Sequence, residues 1–161
     1  LKDIIDSVKK KTGKDKVILV THSMGGLVAR RYIQVFGEDN VYKLIMIASP
    51  NHGISGNVYS FCSTFGESAE CKDMKEGSLF LNKLESQKFT NTKVSNIVGA
   101  GCDTNGADGD GVVQKESATL ERVENYFVNG TCSGFTYLHG ELVYPDKYPE
   151  TYEIVKEILK N

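Results

Sequence analysis

The sequence predicts an α/β fold with a doubly wound, mostly parallel sheet, and three observations carry that expectation. Short β-branched runs alternate with stretches of helical periodicity, the chain shows no repeat or low-complexity segment, and one apolar run turns into a helix without any linker. With 161 residues, 40% of them apolar and 25% charged, the chain can build one domain with a substantial core but not two large ones.

Each element has a local reason. Leu1, Ile4, Ile5 and Val8 recur at helical spacing, and Gly13 can cap that first helix. Residues 16–21 form an apolar run suited to a buried parallel strand. Leu27, Val28, Tyr32, Ile33 and Val35 continue as a helix that Gly37 stops, and Tyr42 to Ala48 (YKLIMIA) is a second buried strand. Residues 49–92 break this rhythm with SPNHGISGN, two cysteines and a short helical pattern in SLFLNKLESQ. They read as an insertion over one edge of the sheet, a cap or lid within a single domain spanning residues 1–161. Lys93 to Ala100 is a third strand and Val123 to Val128 a fourth. A glycine- and aspartate-rich loop separates them. Pro149 to Lys160 (PETYEIVKEILK) is an amphipathic closing helix with proline in its first turn.

Bulk properties exclude several function classes. A formal charge of −2 argues against a nucleic-acid partner held by bulk electrostatics, and the lysines at 9, 10, 11, 14 and 16 read as a solvated helix face and its end. No apolar run approaches the roughly 18 residues of a membrane span, and LKDIIDSVKKK lacks the pattern of a signal peptide, so the chain reads as soluble with no visible address. HSMGG has neither a P-loop lysine nor a GxGxxG pattern, which disfavours nucleotide binding.

The chemistry is expected at the corner inside VILVTHSMGGLVARRYI, Val17 to Ile33. Ligands of an α/β sheet bind at the carboxyl ends of its strands, and a serine on a strained strand-to-helix turn there has its hydroxyl lifted clear of the backbone. Thr21-His22-Ser23-Met24-Gly25 fits the nucleophile-elbow pattern G-x-S-x-G except at its first position. Small residues are needed where strand and helix cross. Gly25 meets that demand, and Thr21 is tolerable if its side chain turns away. The helix start aims backbone N–H groups at the serine's surroundings, and that of Met24 is a candidate oxyanion donor.

Four cysteines, Cys62, Cys71, Cys102 and Cys132, allow three pairings and lack CxxC spacing. The nearest-neighbour pairing would tie down two irregular regions. Together with the sequon Asn129-Gly130-Thr131, disulfides point to an extracellular or other extracytoplasmic, oxidising compartment.

VTHSMGGLVARRY resembles the elbow of the α/β-hydrolase lipases and esterases. ASPNHG, DMKEGSLFLNKL and GDGVVQKESATL resemble further stretches of the lipase branch, so the resemblance runs through residues 1–161 in order. It implies a serine hydrolase of carboxylic esters acting through an acyl-serine intermediate, with the chain order serine, acid, histidine. The family's aspartate matches Asp110, and the histidine after its final strand matches His139. It also implies that several strands precede the elbow, one of them leading to a loop that supplies a second oxyanion donor outside this chain. The expected structure is therefore the C-terminal part of the domain, lacking its N-terminal strands. An apolar sheet edge would invite the missing half or self-association, and a lost oxyanion donor costs on the order of 100- to 1,000-fold in rate.

A serine hydroxyl needs a base, and the base needs an acceptor behind it. His139 lies in a late loop that a doubly wound sheet returns to the carboxyl-end edge. His22 adjoins Ser23, so the turn directs its ring towards packing or support beside the substrate pocket. His52 lines that pocket or hydrogen-bonds locally, and Phe61 and Phe65 are further substrate-binding candidates. For the acid, Asp110 precedes packed chain at Gly111-Val112-Val113, with Asp108 in reserve. Asp103, Asn105 and Asp108 have oxygen-ligand chemistry suited to calcium but lack the later bidentate glutamate of an EF-hand, so no metal and no cofactor is expected. The apolar residues of 49–92 either roof an acyl cleft or form a small satellite core. Expected partners are a small-molecule ester or lipid, with transient contact at a membrane or lipid interface, and no nucleic acid. A thioesterase or acyltransferase would use the same triad, and an incomplete hydrolase fold would only bind.

Overall fold

The computed structural model describes residues 1–62, 67–133 and 137–161, apart from the Phe61 side chain. A four-stranded, fully parallel sheet runs through the molecule in the order β1 (Val17–His22), β2 (Val41–Ile47), β3 (Lys93–Ala100), β6 (Glu124–Asn129). The mostly parallel α/β sheet expected from the alternating pattern is therefore present. Helix α1 (Lys2–Thr12) precedes β1 and ends at Gly13, whose φ of 68° is the left-handed conformation glycine adopts without steric cost. Helix α2 (Met24–Phe36) follows β1 directly, and α8 (Pro149–Lys160) closes the chain.

Between β2 and β3 the described residues form three short helices, α3 (Gly56–Cys62), α4 (Ser68–Met74) and α5 (Leu79–Glu85). Glu67 and Glu70 close α4 with a reciprocal capping box. Between β3 and β6 the chain forms a small antiparallel hairpin, β4 (Cys102–Thr104) with β5 (Ala107–Gly109), and then α6 (Lys115–Ala118). A one-turn helix, α7 (Leu138–Glu141), follows β6. No described helix is long and apolar enough to cross a membrane.

Two apolar clusters flank the sheet. Ile45, Ile47, Ile97 and Val128 pack with Leu138, Leu142 and Ile158 on one face, and Leu44, Met46 and Val41 pack with Ile5, Tyr32 and Ile33 on the other. Complete burial of one such side chain contributes roughly 1.5–3 kcal/mol, so these faces dominate the stability of the sheet. Buried polar groups are tied across elements. The guanidinium of Arg30, 2% exposed, donates to the backbone and side-chain oxygens of Asn51 and to the carbonyl of Leu84. Burial lowers its pKa to about 10, against a smaller opposing pull from Glu85. Asn51 and Asn96 both donate to the carbonyl of Ala118, and Asn96 donates also to Asn125. This network fixes the loops that leave the carboxyl ends of the strands.

The expected disulfides form in the nearest-neighbour pattern. Cys62 joins Cys71, binding α3 to α4, and Cys102 joins Cys132, binding the hairpin to the segment after β6.

Candidate active site

Ser23 caps α2 at the end of β1 with φ of 53° and ψ of −130°, a strained conformation for a residue with a side chain. Its own N–H donates to the carbonyl of Ile47 at 2.9 Å, which anchors the corner to the end of β2. Thr21 turns its hydroxyl onto the carbonyl of Ile45 at 3.3 Å, so its bulk is accommodated as anticipated. The sterically demanding glycine is a different one from that expected. A Cβ on Gly25 would meet only Thr21 Cβ at 3.5 Å, an ordinary contact. A Cβ on Gly26 would lie 2.1 Å from Ser49 Oγ and 2.8 Å from Ser49 Cβ. Helix α2 crosses the turn after β2 at Gly26, one residue later than the motif suggests.

Ser23, Asp110 and His139 meet at the carboxyl ends of the strands. His139 sits on α7, whose Leu138 and the following Leu142 are fully buried in the core, so packing fixes the turn that carries the imidazole. Its Nε2 lies 2.9 Å from Ser23 Oγ and its Nδ1 2.8 Å from Asp110 Oδ2. A proton on Nδ1, given to the carboxylate, leaves Nε2 free to accept from the serine hydroxyl. Asp110 is 1% exposed, and its Oδ1 accepts from the N–H groups of Val112 and Val113 at 2.9 and 2.7 Å. Gly99 on β3 makes room for it, since a Cβ there would stand 2.7 Å from Asp110 Cβ. Asp108, the reserve candidate, points elsewhere. It accepts from the Gly101 N–H at 2.7 Å and pairs with Lys115 at 3.4 Å, with its side chain half exposed.

An open cleft of about 1160 Å³ lies over Ser23 and His139. Met24 at the start of α2, Val112 after Asp110, Tyr137 before His139, and Ile54, Val58 and Met74 from the β2–β3 segment give it an apolar wall. Met24 occupies the first turn of a helix, where N–H groups lack intrahelical acceptors. Leu81 and Leu84 pack on Leu27 as a satellite core, and Ile54, Val58 and Met74 face the cleft.

Neither remaining histidine lines this cleft, which corrects the substrate-binding role expected for His22 and His52. The His22 ring turns to the backbone of His139, 2.8 Å from its carbonyl oxygen. His52 is held locally, with Nδ1 2.6 Å from Glu85 and Nε2 2.9 Å from the carbonyl of Thr119, and it borders a separate depression of about 830 Å³. Phe65 and the Phe61 side chain lie outside the described residues. The three residues with calcium-ligand chemistry serve turns instead: Asp103 accepts from Gly106 N–H, Asp108 from Gly101 N–H, and Asn105 bridges Ser55 and Asn57. Among the described residues no three His, Cys, Asp or Glu side chains converge on a point that could hold a metal ion.

Over residues 1–141 the sequence matches the family described as "Alpha/beta hydrolase of unknown function (DUF915)". The chain belongs to this family. Among solved structures it is similar to the mature form of the Bacillus licheniformis lipase BlEst2, at 20% identity and a TM-score of 0.65, over 92% of this chain and 70% of that one. It spans only 38% of the propeptide form of the same lipase. Two further likenesses are to a monoacylglycerol lipase from Paleococcus ferrophilus (13% identity, TM-score 0.56, 98% of this chain, 72% of that one) and a bromoperoxidase from Bacillus anthracis (14%, 0.59, 98% and 72%). At such identities the likeness is one of fold. None of the curated proteins matches the sequence.

Proposed function

We propose that this α/β hydrolase cleaves carboxylic esters through an acyl-serine intermediate. The unbroken hydrogen-bonded chain from Ser23 through His139 to Asp110 is the observation that carries this reading. In the proposal His139 Nε2 takes the Ser23 proton as Oγ bonds to the ester carbonyl carbon. Asp110, holding Nδ1–H, stabilises the imidazolium that results. The Met24 N–H donates to the developing oxyanion. His139 then returns the proton to the leaving alcohol, and water attacks the acyl carbon by the same route to restore the serine.

The apolar wall formed by Ile54, Val58, Met74 and Val112 suits an uncharged acyl chain, with the β2–β3 segment as its roof. Two disulfides suit an oxidising, extracellular compartment, and the sequon at Asn129 agrees with it.

Intact-mass spectrometry after treatment with an alkyl fluorophosphonate tests the reading. The expected result is a single adduct on the wild-type chain that is missing from Ser23→Ala. An unlabelled wild-type chain that also fails to cleave p-nitrophenyl esters would overturn it.

A further inference from the structure

We propose that His22 is a positioning residue for the base: its Nε2–H grips the backbone carbonyl of His139 and so sets the imidazole between Ser23 and Asp110. This rests on the hydrolase reading above and adds a residue that the triad does not require.

His22 is the last residue of β1, immediately before the nucleophile, and its ring reaches a residue 117 positions away in the chain. Nε2 lies 2.8 Å from the carbonyl oxygen of His139. A carbonyl can only accept, so the proton must sit on Nε2, which selects one tautomer of His22. Burial, helped by the adjacent His139 imidazole, pushes the His22 pKa below its ordinary value. The bond to the His139 carbonyl and the Asp110 charge pull weakly the other way. The ring is therefore neutral at neutral pH.

Neutrality matters because the two rings are close, with centroids 4.8 Å apart and planes tilted by 48°. A charged His22 would oppose the imidazolium that forms when Ser23 gives up its proton, whereas a neutral one keeps its hydrogen bond without that penalty. On its other side, the N–H of His139 donates to the carbonyl of Asp110 at 2.9 Å. The peptide groups flanking the base are thus held from two directions, one by the acid's backbone and the other by the strand that presents the nucleophile. Reacting groups tolerate little displacement, since about 1 Å of misplacement can cost on the order of 100-fold in rate.

The test compares His22→Leu, His22→Gln and the wild type, with the fluorophosphonate labelling rate and the kcat and KM for p-nitrophenyl butyrate as readouts. Glutamine offers an amide N–H at the place of Nε2, and leucine fills space without a donor. The expected result is a fall of about tenfold in kcat and in labelling rate for His22→Leu, unchanged KM, and recovery to within about threefold in His22→Gln. Equal loss in both variants would overturn the proposal in favour of ring packing, and wild-type rates in both would overturn it outright. If His22→Leu does not fold, His22→Asn, whose amide falls short of the carbonyl, takes its place in the same comparison. A labelled wild type with insensitive variants sinks the inference alone. A wild type inert to the probe sinks the hydrolase reading and this inference together.

Discussion

The Nδ1–H of His139 donates to one oxygen of the Asp110 carboxylate at 2.8 Å, while the other oxygen accepts two backbone N–H groups from the turn that follows. The carboxylate therefore cannot rotate without breaking three bonds. In the proposed reaction, Asp110→Asn removes the acceptor that fixes the His139 tautomer, and kcat should fall by on the order of 10⁴-fold. Asp108→Asn, in the same loop but turned to Gly101 and Lys115, should keep kcat within about threefold, because it touches neither the base nor the cleft wall formed by Val112. Steady-state kinetics on the two variants, both checked for folding by circular dichroism, decides between the aspartates.

Gly26 and Gly25 should differ sharply on substitution. Gly26→Ala drives a methyl into Ser49, which is wholly buried, and should lower unfolding free energy by about 1–3 kcal/mol. Gly25→Ala meets an ordinary contact and should leave stability within about 1 kcal/mol of wild type. Urea unfolding curves give both numbers.

The sequence carried the parts of the fold that depend on neighbours in the chain. Residues 93–100 read as a strand, and β3 has those bounds. Pro149 marks the first turn of α8 because its fixed φ suits a helix start. The three polar residues named for the site were also legible, since the corner at Ser23 is a local pattern and the resemblance pointed to the other two. Partnerships fixed only in three dimensions were not. The Arg30 clamp on Asn51 and Leu84, the contact of Gly26 with Ser49, and the turn of the His22 ring onto a carbonyl 117 residues away have no local signature. The β4–β5 hairpin was hidden for another reason: two three-residue strands are too short to show alternation.

Glu38 should give acid sensitivity to the loop before β3. Burial works against its charge but is outweighed by the N–H groups of Thr90, Asn91 and Thr92 and the Thr90 hydroxyl, which bring the pKa down to about 2. A depressed carboxylate pKa stabilises the fold above the unfolded-state value, and that contribution is lost as pH falls towards the folded one. The stability advantage of wild type over Glu38→Gln should thus be full above about pH 4.5 and vanish near pH 2. Glu38 is only part-buried, so solvent screens these bonds and the advantage should be small. Denaturant titrations of both proteins across this range measure the gap.

The Cys102–Cys132 bridge should matter to the site more than Cys62–Cys71. Cys132 Sγ lies 3.5 Å from the Asp110 carbonyl and 3.4 Å from the N–H of Leu138, beside both Asp110 and His139. The double change Cys102→Ser and Cys132→Ser should cost about 3–4 kcal/mol of stability on loop-entropy grounds. It should also slow fluorophosphonate labelling at temperatures where the protein stays folded. The corresponding change at Cys62 and Cys71 should lower stability and leave the labelling rate of the folded protein within about threefold of wild type.

Ser23 and His139 are 116 residues apart, with β2, β3 and β6 between them, and this spacing has a consequence in time. During synthesis the serine, its strand and its helix leave the ribosome long before β6 exists, and the imidazole arrives only with the turn after that last strand. In the proposed mechanism the hydroxyl has no base until then and stays as inert as any other serine. By the same proposed mechanism a newly made chain is in this way silent towards the esters around it, and the first fluorophosphonate-reactive molecule in a translation reaction marks the arrival of the turn that carries His139.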